Sequence, residues 1–318
     1  MVAAPSLRLV FFGTPAFAVP SLEGLCRSRH AVVMVVAQPD KPHGRGQRAG
    51  VLPVKALALS AGLAVAQPER LRAPGFLDEL RAARADLGVV AAYGKILPVE
   101  VLAAPRLGMV NVHASLLPRH RGAAPVHRAV IAGDRETGVT LVRMIKALDA
   151  GPVLAARRRP IGPNETSGDI ERDLALMGSH LLIASLDDIA AGRAPEMPQD
   201  ESRATYAPRL RKEEGLVDWS QTAEQVHRLI RGLHPWPHAF SFLQGRRVIL
   251  LRSDWTPGPM STEPPGTVVE AEGSRLVVAA ASGAVQVIHL QLEGRRPMTA
   301  RELIAGHRVA PGDRFGGP

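Results

Sequence analysis

Apolar residues along the chain fall into short unbroken runs separated by stretches of helical periodicity. LRLVFFG (7–13), AVVMVVAQ (31–38), DLGVVAAYG (86–94) and GMVNVHAS (108–115) are runs of strand length. FLDELRAARA (76–85) and PVHRAVIAGD (125–134) space their apolar positions as helices do. A strand buried on both faces reads as continuous apolar sequence, whereas a half-exposed strand alternates. The alternation therefore predicts an α/β fold with a Rossmann-like parallel sheet, helices covering both faces. Thr14 is expected to cap the first helix, with Pro15 in its first turn. GVTLVRMI (138–145) and GPVLAARRRPI (151–161) add two strands joined by KALDA, and residues 169–192 a long helix.

Periodicity is then lost. RAPEMPQDESRATYAPRLRKEEG, from Arg193, is rich in Pro and charge, as suits a linker or a segment lying across a surface. From about Leu216 the pattern changes to one helix, TAEQVHRLIRGL, and the short strands RRVILLRS, GTVVEAEG, RLVVAAA and AVQVIHLQL with Gly-rich turns. Such strands predict a small OB-like β-barrel or a sandwich. The expected organisation is a catalytic domain over 1–192, a linker over 193–207 and a C-terminal β-barrel domain over 208–318.

Composition adds limits. With 46% hydrophobic and 22% charged residues, the 318-residue chain can build real cores. The single cysteine, Cys26, excludes an intramolecular disulfide and a cysteine-based metal site, and fits a reducing compartment. No apolar run approaches the ~20 residues of a membrane span. The first strand begins by about Leu7, which leaves no room for a signal peptide. A cytoplasmic protein without a membrane partner is expected. The net charge of +9 comes almost wholly from arginine, since there are five lysines, and is compatible with a polyanion such as RNA. GTPAFA, after the first strand, has one glycine where a dinucleotide fingerprint needs three, which argues against a nicotinamide oxidoreductase.

Polar groups inside an apolar strand need a reason. Asn111 and His113 are two apart, so they share a face, with Val110 and Val112 opposite. They sit near the strand's C-terminal end, where open α/β sheets hold ligands. Asp149 follows in a later loop, beside Gly151, whose missing Cβ permits a sharp turn or close ligand approach. An amide donor and an imidazole suit stabilisation of an oxyanion, and a carboxylate beside the imidazole orients it and helps accept a proton. Such a set can move an acyl-type group onto an amine. An Asn-His pair that only anchors a loop is the structural alternative.

NVHASLLPRHRGAAPVHRAVIAGDRETGVTLVRM, followed by LDAG, resembles the folate-dependent formyltransferases, which use 10-formyltetrahydrofolate. FFGTPAFAVPSL, QPDKPHGRGQ, VVAAYGKILP, TYAPRLRKEEGLVDW and HPWPHAF extend the resemblance over nearly the whole chain, to the members that formylate methionyl-tRNA. It implies that Asn111, His113 and Asp149 are catalytic. It implies that Ser115, Leu116, Leu117 and Pro118 form a folate-binding turn, and that Tyr93 and Gly94 border the pterin pocket. The acceptor would be the α-amine of initiator methionyl-tRNA, the protein a monomer, and no metal would be needed. The family's Gly-Leu-Asp-Thr-Gly is here Ala147-Leu148-Asp149-Ala150-Gly151, so one loop hydroxyl is lost.

The polar loop DKPHGRGQRAG (40–50) carries Lys41, Arg45 and Arg48. By the resemblance it engages the tRNA acceptor end, with Arg45 as the main contact. Arg246, Arg247, Arg295 and Arg296 fall in expected turns of the second domain, which has 14 Lys/Arg against 11 Asp/Glu over 208–318. His127 is read as a packing or capping residue. Trp236, in HPWPH, is read as core packing, with a stacking platform for bases as the alternative. A formyltransferase for a small amine, such as glycinamide ribonucleotide or an amino sugar nucleotide, and an RNA-binding protein without catalysis are the competing functions. The β-rich second domain argues against the first, the intact Asn-His-Asp set against the second.

Overall fold

The computed structural model describes residues 5–40, 42–43, 48–49, 52–260 and 262–317. Residues up to Pro125, Thr137–Arg159 and Glu171–Ala207 cluster into one compact unit; Val126–Glu136, Pro160–Ile170 and Pro208–Pro318 form a second.

The first unit is built on strands β1 (Arg8–Gly13), β2 (Ala31–Val36), β3 (Val65–Ala66), β4 (Leu87–Ala91), β5 (Met109–His113), β6 (Glu136–Arg143) and β7 (Val153–Pro160). Helices α1 (Val19–Arg27), α2 (Pro53–Ser60), α3 (Pro74–Ala82), α4 (Val99–Leu102) and most of α6 (Ser167–Ala190) belong to this unit, whereas α5 (Pro125–Ala132) falls almost wholly in the second. The strand order is β7-β6-β5-β4-β1-β2-β3. β1 lies parallel to both β2 and β4, β2 to β3, and β4 to β5. The chain thus winds outward from β1 in both directions, which opens a crevice at the C-terminal strand ends.

Alternate residues feed two cores. Leu9, Phe11, Val89, Val110 and Val112 join one; Val10, Phe12, Val90 and Met109 join the other. Each fully buried side chain of this size contributes roughly 1.5–3 kcal/mol. That double burial is why the strands read as unbroken apolar runs.

Two expectations need correction. β6 runs antiparallel to β5, with Asn111 opposite Val142 and His113 opposite Thr140. A continuous apolar run reports burial and carries no direction, so the sheet is mostly, not wholly, parallel. Thr14 does not cap a helix. Its hydroxyl bridges neighbouring strand ends, donating to the Tyr93 carbonyl (3.5 Å) and accepting from the Gln38 N–H (3.3 Å), and α1 begins only at Val19.

In the second unit, α7 (Ala223–Gly232) starts with a capping box. Thr222 Oγ1 accepts from the Gln225 N–H, and Gln225 Oε1 accepts from the Thr222 N–H. Strands β8 (Ala239–Leu243), β9 (Arg246–Met260), β10 (Val268–Glu272), β11 (Arg275–Ala279), β12 (Ser282–Leu292) and β13 (Phe315–Gly316) follow, with α8 (Ala300–Gly306) before the last. They form an antiparallel sheet in the order β10-β11-β12-β9-β8-β13. Register breaks along β9 against β12 let the sheet bend. Its two edges are joined where Val268 N–H donates to Asp313 O (2.7 Å) and Phe315 N–H to Gly266 O (2.8 Å). A sandwich would keep those edges apart; the curled sheet is the barrel-like alternative.

Candidate active site

β5 presents Asn111 and His113 on the face it shares with Met109, while Val110 and Val112 enter the opposite core. His113 is 5% exposed and Asn111 half-buried. The His113 Nε2 lies 3.0 Å from the His120 carbonyl oxygen. A carbonyl only accepts, so Nε2 carries the proton and donates it. That leaves Nδ1, which faces Asp149 Oδ2 at 3.7 Å.

Asp149 gathers the site. Asn111 Nδ2 donates to Oδ1 (3.3 Å), and the Gly122 N–H donates to Oδ2 (2.9 Å). The residue takes a left-handed backbone, φ +48°. Because β6 is antiparallel, it ends opposite Val110, away from His113. The connection over 144–152 therefore doubles back to bring the carboxylate over Asn111. A Cβ on Gly151 would run into the Arg143 carbonyl oxygen. This glycine serves the close approach of the chain to itself, as the sharp turn among its two expected roles requires.

Sequence reasoning missed the groups that hold this loop. Gln199 Nε2 donates to the carbonyls of both Asp149 and Gly151, each at 2.7 Å. Its Oε1 accepts from Arg121 Nε (3.1 Å) and Nη2 (2.8 Å). Arg121, 2% exposed, also grips Glu201 with two bonds of 2.9 and 2.7 Å. The Arg121 guanidinium holds the Glu201 carboxyl below its usual range. The burial of Arg121 has no local sequence signal.

The expected folate residues are placed unequally. Ser115 is buried, its hydroxyl donating to Arg119 O (2.7 Å) and its carbonyl accepting from Thr140 Oγ1 (2.7 Å). Leu116, Leu117 and Pro118 remain half-buried. Gly94 is exposed, but the Tyr93 side chain is 1% exposed and packs edge-on to Phe12, centroids 5.4 Å apart. Burial pushes the Tyr93 hydroxyl up to about 12. Leu148, next to Asp149, is 50% exposed.

Residues 7–186 match the family described as formyl transferase, and residues 209–308 the formyl transferase C-terminal domain. The chain is 45% identical to the methionyl-tRNA formyltransferase of Moorella thermoacetica, over 98% of this chain and 99% of that protein. With its counterpart from Thermus thermophilus the identity is 46%, over 98% and 99%. The chain belongs to the methionyl-tRNA formyltransferase family. The N-formyltransferase of Helicobacter canadensis, in complex with folinic acid and dTDP-3-aminofucose, shares the fold at a TM-score of 0.68. It is 17% identical, over 88% of this chain and 99% of that one.

The residues expected to contact RNA in this methionyl-tRNA formyltransferase family member are only partly among the described ones. Lys41 and Arg45 lie outside the described residues. Arg48 lies in a two-residue strand, Arg48–Ala49, antiparallel to Pro42–His43. Arg246 and Arg295 line one open depression of about 260 Å³ with Leu292 and Glu293. Arg247 instead packs its guanidinium 3.9 Å above the Phe240 ring. Trp236 is 50% exposed, which corrects the core reading; the buried tryptophan is Trp219, 4% exposed, whose Nε1 donates to Ser241 Oγ (3.1 Å). Among the described residues no helix is long and apolar enough to cross a membrane, and no cluster of His, Cys, Asp or Glu has metal-holding geometry.

Proposed function

We propose that the protein transfers the formyl group of 10-formyltetrahydrofolate to the α-amine of initiator methionyl-tRNA, with Asn111, His113 and Asp149 as its catalytic residues. The convergence of the Asn111 amide, the His113 imidazole and the Asp149 carboxylate is the observation that carries this reading. When bound, the folate supplies an activated formyl carbon. Asn111 has two amide hydrogens, one committed to Asp149, and the other is available to a formyl oxygen gaining negative charge as the amine adds. His113 is already a donor at Nε2, so the basic atom it can offer is Nδ1. A proton arriving there makes an imidazolium facing the Asp149 carboxylate, which stabilises it and lets it return the proton to the leaving nitrogen.

Leu116, Leu117, Pro118 and the backbone at Tyr93–Gly94 would hold the folate, beside exposed Leu148. The Tyr93 ring, being buried, would act only as a floor. Ser115 would shape the turn from beneath. Arg45, with Lys41 and Arg48, would engage the acceptor end of the tRNA, and residues 208–318 would hold more of the acceptor arm. The protein would act as a cytoplasmic monomer.

The test is formyl transfer from 10-formyltetrahydrofolate to initiator methionyl-tRNA, with free methionine and glycinamide ribonucleotide as parallel acceptors. Transfer to the aminoacyl-tRNA alone is expected. Transfer to glycinamide ribonucleotide instead would overturn the substrate assignment, and binding of tRNA without transfer to any acceptor would overturn the enzyme.

A further inference from the structure

The stretch that sequence reads as a linker is bonded to both loops that make the site. On one side, Met197 exchanges backbone hydrogen bonds with Val153 (2.8 and 3.0 Å), and Glu196 accepts from the Arg143 guanidinium (2.8 and 2.9 Å). On the other, the Arg121 N–H donates to Thr205 O (2.8 Å), His120 N–H to Thr205 Oγ1 (2.9 Å) and Ala123 N–H to Ala207 O (2.9 Å). Residues 196–207 therefore tie the Asp149 hairpin to the loop that follows β5.

One side chain in this strap reaches both loops at once. The amide of Gln199 has two donors and two acceptor sites, and all four are used. Both donors go to carbonyls of the catalytic hairpin, at Asp149 and Gly151; both acceptor sites take Arg121, which neighbours Gly122. Carbonyls only accept and guanidinium only donates, so the amide has a single allowed orientation.

The consequence falls on Asp149. A non-glycine residue in the left-handed region is strained, and something must hold it there. The bond to the Asp149 carbonyl pins the orientation of that peptide, and so directs the carboxylate toward Asn111, His113 and the Gly122 N–H. Resting on the formyl-transfer reading above, we infer that Gln199 is a positioning residue for Asp149, with Arg121 and Glu201 as its support.

Gln199→Glu and Gln199→Leu test this. The first keeps the shape and the bonds from Arg121 but cannot donate to the two carbonyls; the second loses both sets. Since a misplacement of ~1 Å can cost ~100-fold, kcat should fall by about 10–100-fold in either variant, with KM for tRNA and folate changed by less than about 3-fold. A merely structural residue would lower activity equally whatever stands at position 149. If Gln199 acts through Asp149, adding Gln199→Leu to Asp149→Asn should change kcat by less than about 2-fold. Exchange of the Gly122 amide hydrogen, read by mass spectrometry or NMR, should quicken in both Gln199 variants as the carboxylate leaves it. Unchanged kcat, or independent effects in the double variant, would overturn the role. Should the unaltered protein fail to transfer formyl, the activity reading falls, and the exchange rate still decides: unchanged protection of Gly122 would refute the positioning itself.

Discussion

Alanine at Gly122 tests whether the Asp149 carboxylate must be held from its second oxygen. Gly122 sits at φ +119°, a conformation that glycine alone adopts readily, and a Cβ there would lie 2.8 Å from the Ala207 carbonyl oxygen. Ordinary contact begins at 3.4 Å, so either the backbone turns or the paired strands Arg121–Gly122 and Tyr206–Ala207 part by roughly half an ångström. Strain of this kind costs about 1–3 kcal/mol. The same residue's N–H donates to Asp149 Oδ2 at 2.9 Å. A hydrogen bond to a charged group contributes ~1.5–3 kcal/mol, and each ~1.4 kcal/mol is tenfold in rate. Gly122→Ala should therefore lower kcat about 10–100-fold in a single-turnover assay at saturating tRNA and folate. Gly192→Ala is the control, because that glycine also has positive φ (+66°) but nothing within 4 Å of an added Cβ. Both variants should melt earlier; only Gly122→Ala should be slow. A folded Gly122→Ala protein with kcat within about 3-fold of the parent, or an equal loss in Gly192→Ala, would refute the carboxylate's dependence on this N–H.

Asp149→Asn keeps an acceptor for the Gly122 N–H but cannot neutralise an imidazolium, so kcat should drop by ~100-fold or more while folate and tRNA binding, followed by fluorescence and filter retention, stay nearly intact. Arg45→Ala should lower the rate at limiting tRNA and leave folate affinity alone; equal rates at every tRNA concentration would remove the loop from the interface. Burial pushes His127 down to about 4, so the folded protein resists a proton that the unfolded chain takes up near pH 6.5. Stability is then fully present above that pH and is lost as pH falls through about 4, some ~2 kcal/mol by about pH 5. His227, His234 and His238 are lowered by burial in the same direction. Denaturant melts of His127→Gln should show a shallower acid slope, and an unchanged slope would place the acid sensitivity elsewhere.

The apolar runs made the strands of the first unit legible, because double burial leaves little room for polar residues. The same property concealed the direction of β6: a buried antiparallel strand and a buried parallel one have the same composition, and only pairing against Val110 and His113 distinguishes them. Asn111 and His113 stood out as polar positions on one face of an apolar strand, and Asp149 through its resemblance to a family motif. Gln199 and Arg121 had no comparable signal. Their two segments lack periodicity, since they form mainly side-chain and irregular backbone bonds, and such bonds leave no spacing to read. Trp236 misled for a related reason: an aromatic among prolines says nothing about which side of a turn it occupies.

A polar pair in a buried strand is costly unless each group finds a partner. Here the partners are found, but incompletely. His113 spends Nε2–H on the His120 carbonyl and keeps Nδ1; Asn111 spends one N–H on Asp149 and keeps the other. The remaining capacity lies beside a carboxylate with little exposed surface, in a setting where hydrogen bonds are stronger than in water. Fully satisfied side chains would make a structural pair with nothing to offer a substrate. Entirely unpartnered ones would reorganise or draw in water. On the proposed reading, partial satisfaction sets the direction of both groups before substrate arrives, so the bonds formed as charge develops would require little rearrangement. The reversed β6 makes this possible, since its returning hairpin brings Asp149 over the middle of β5, where both polar side chains point.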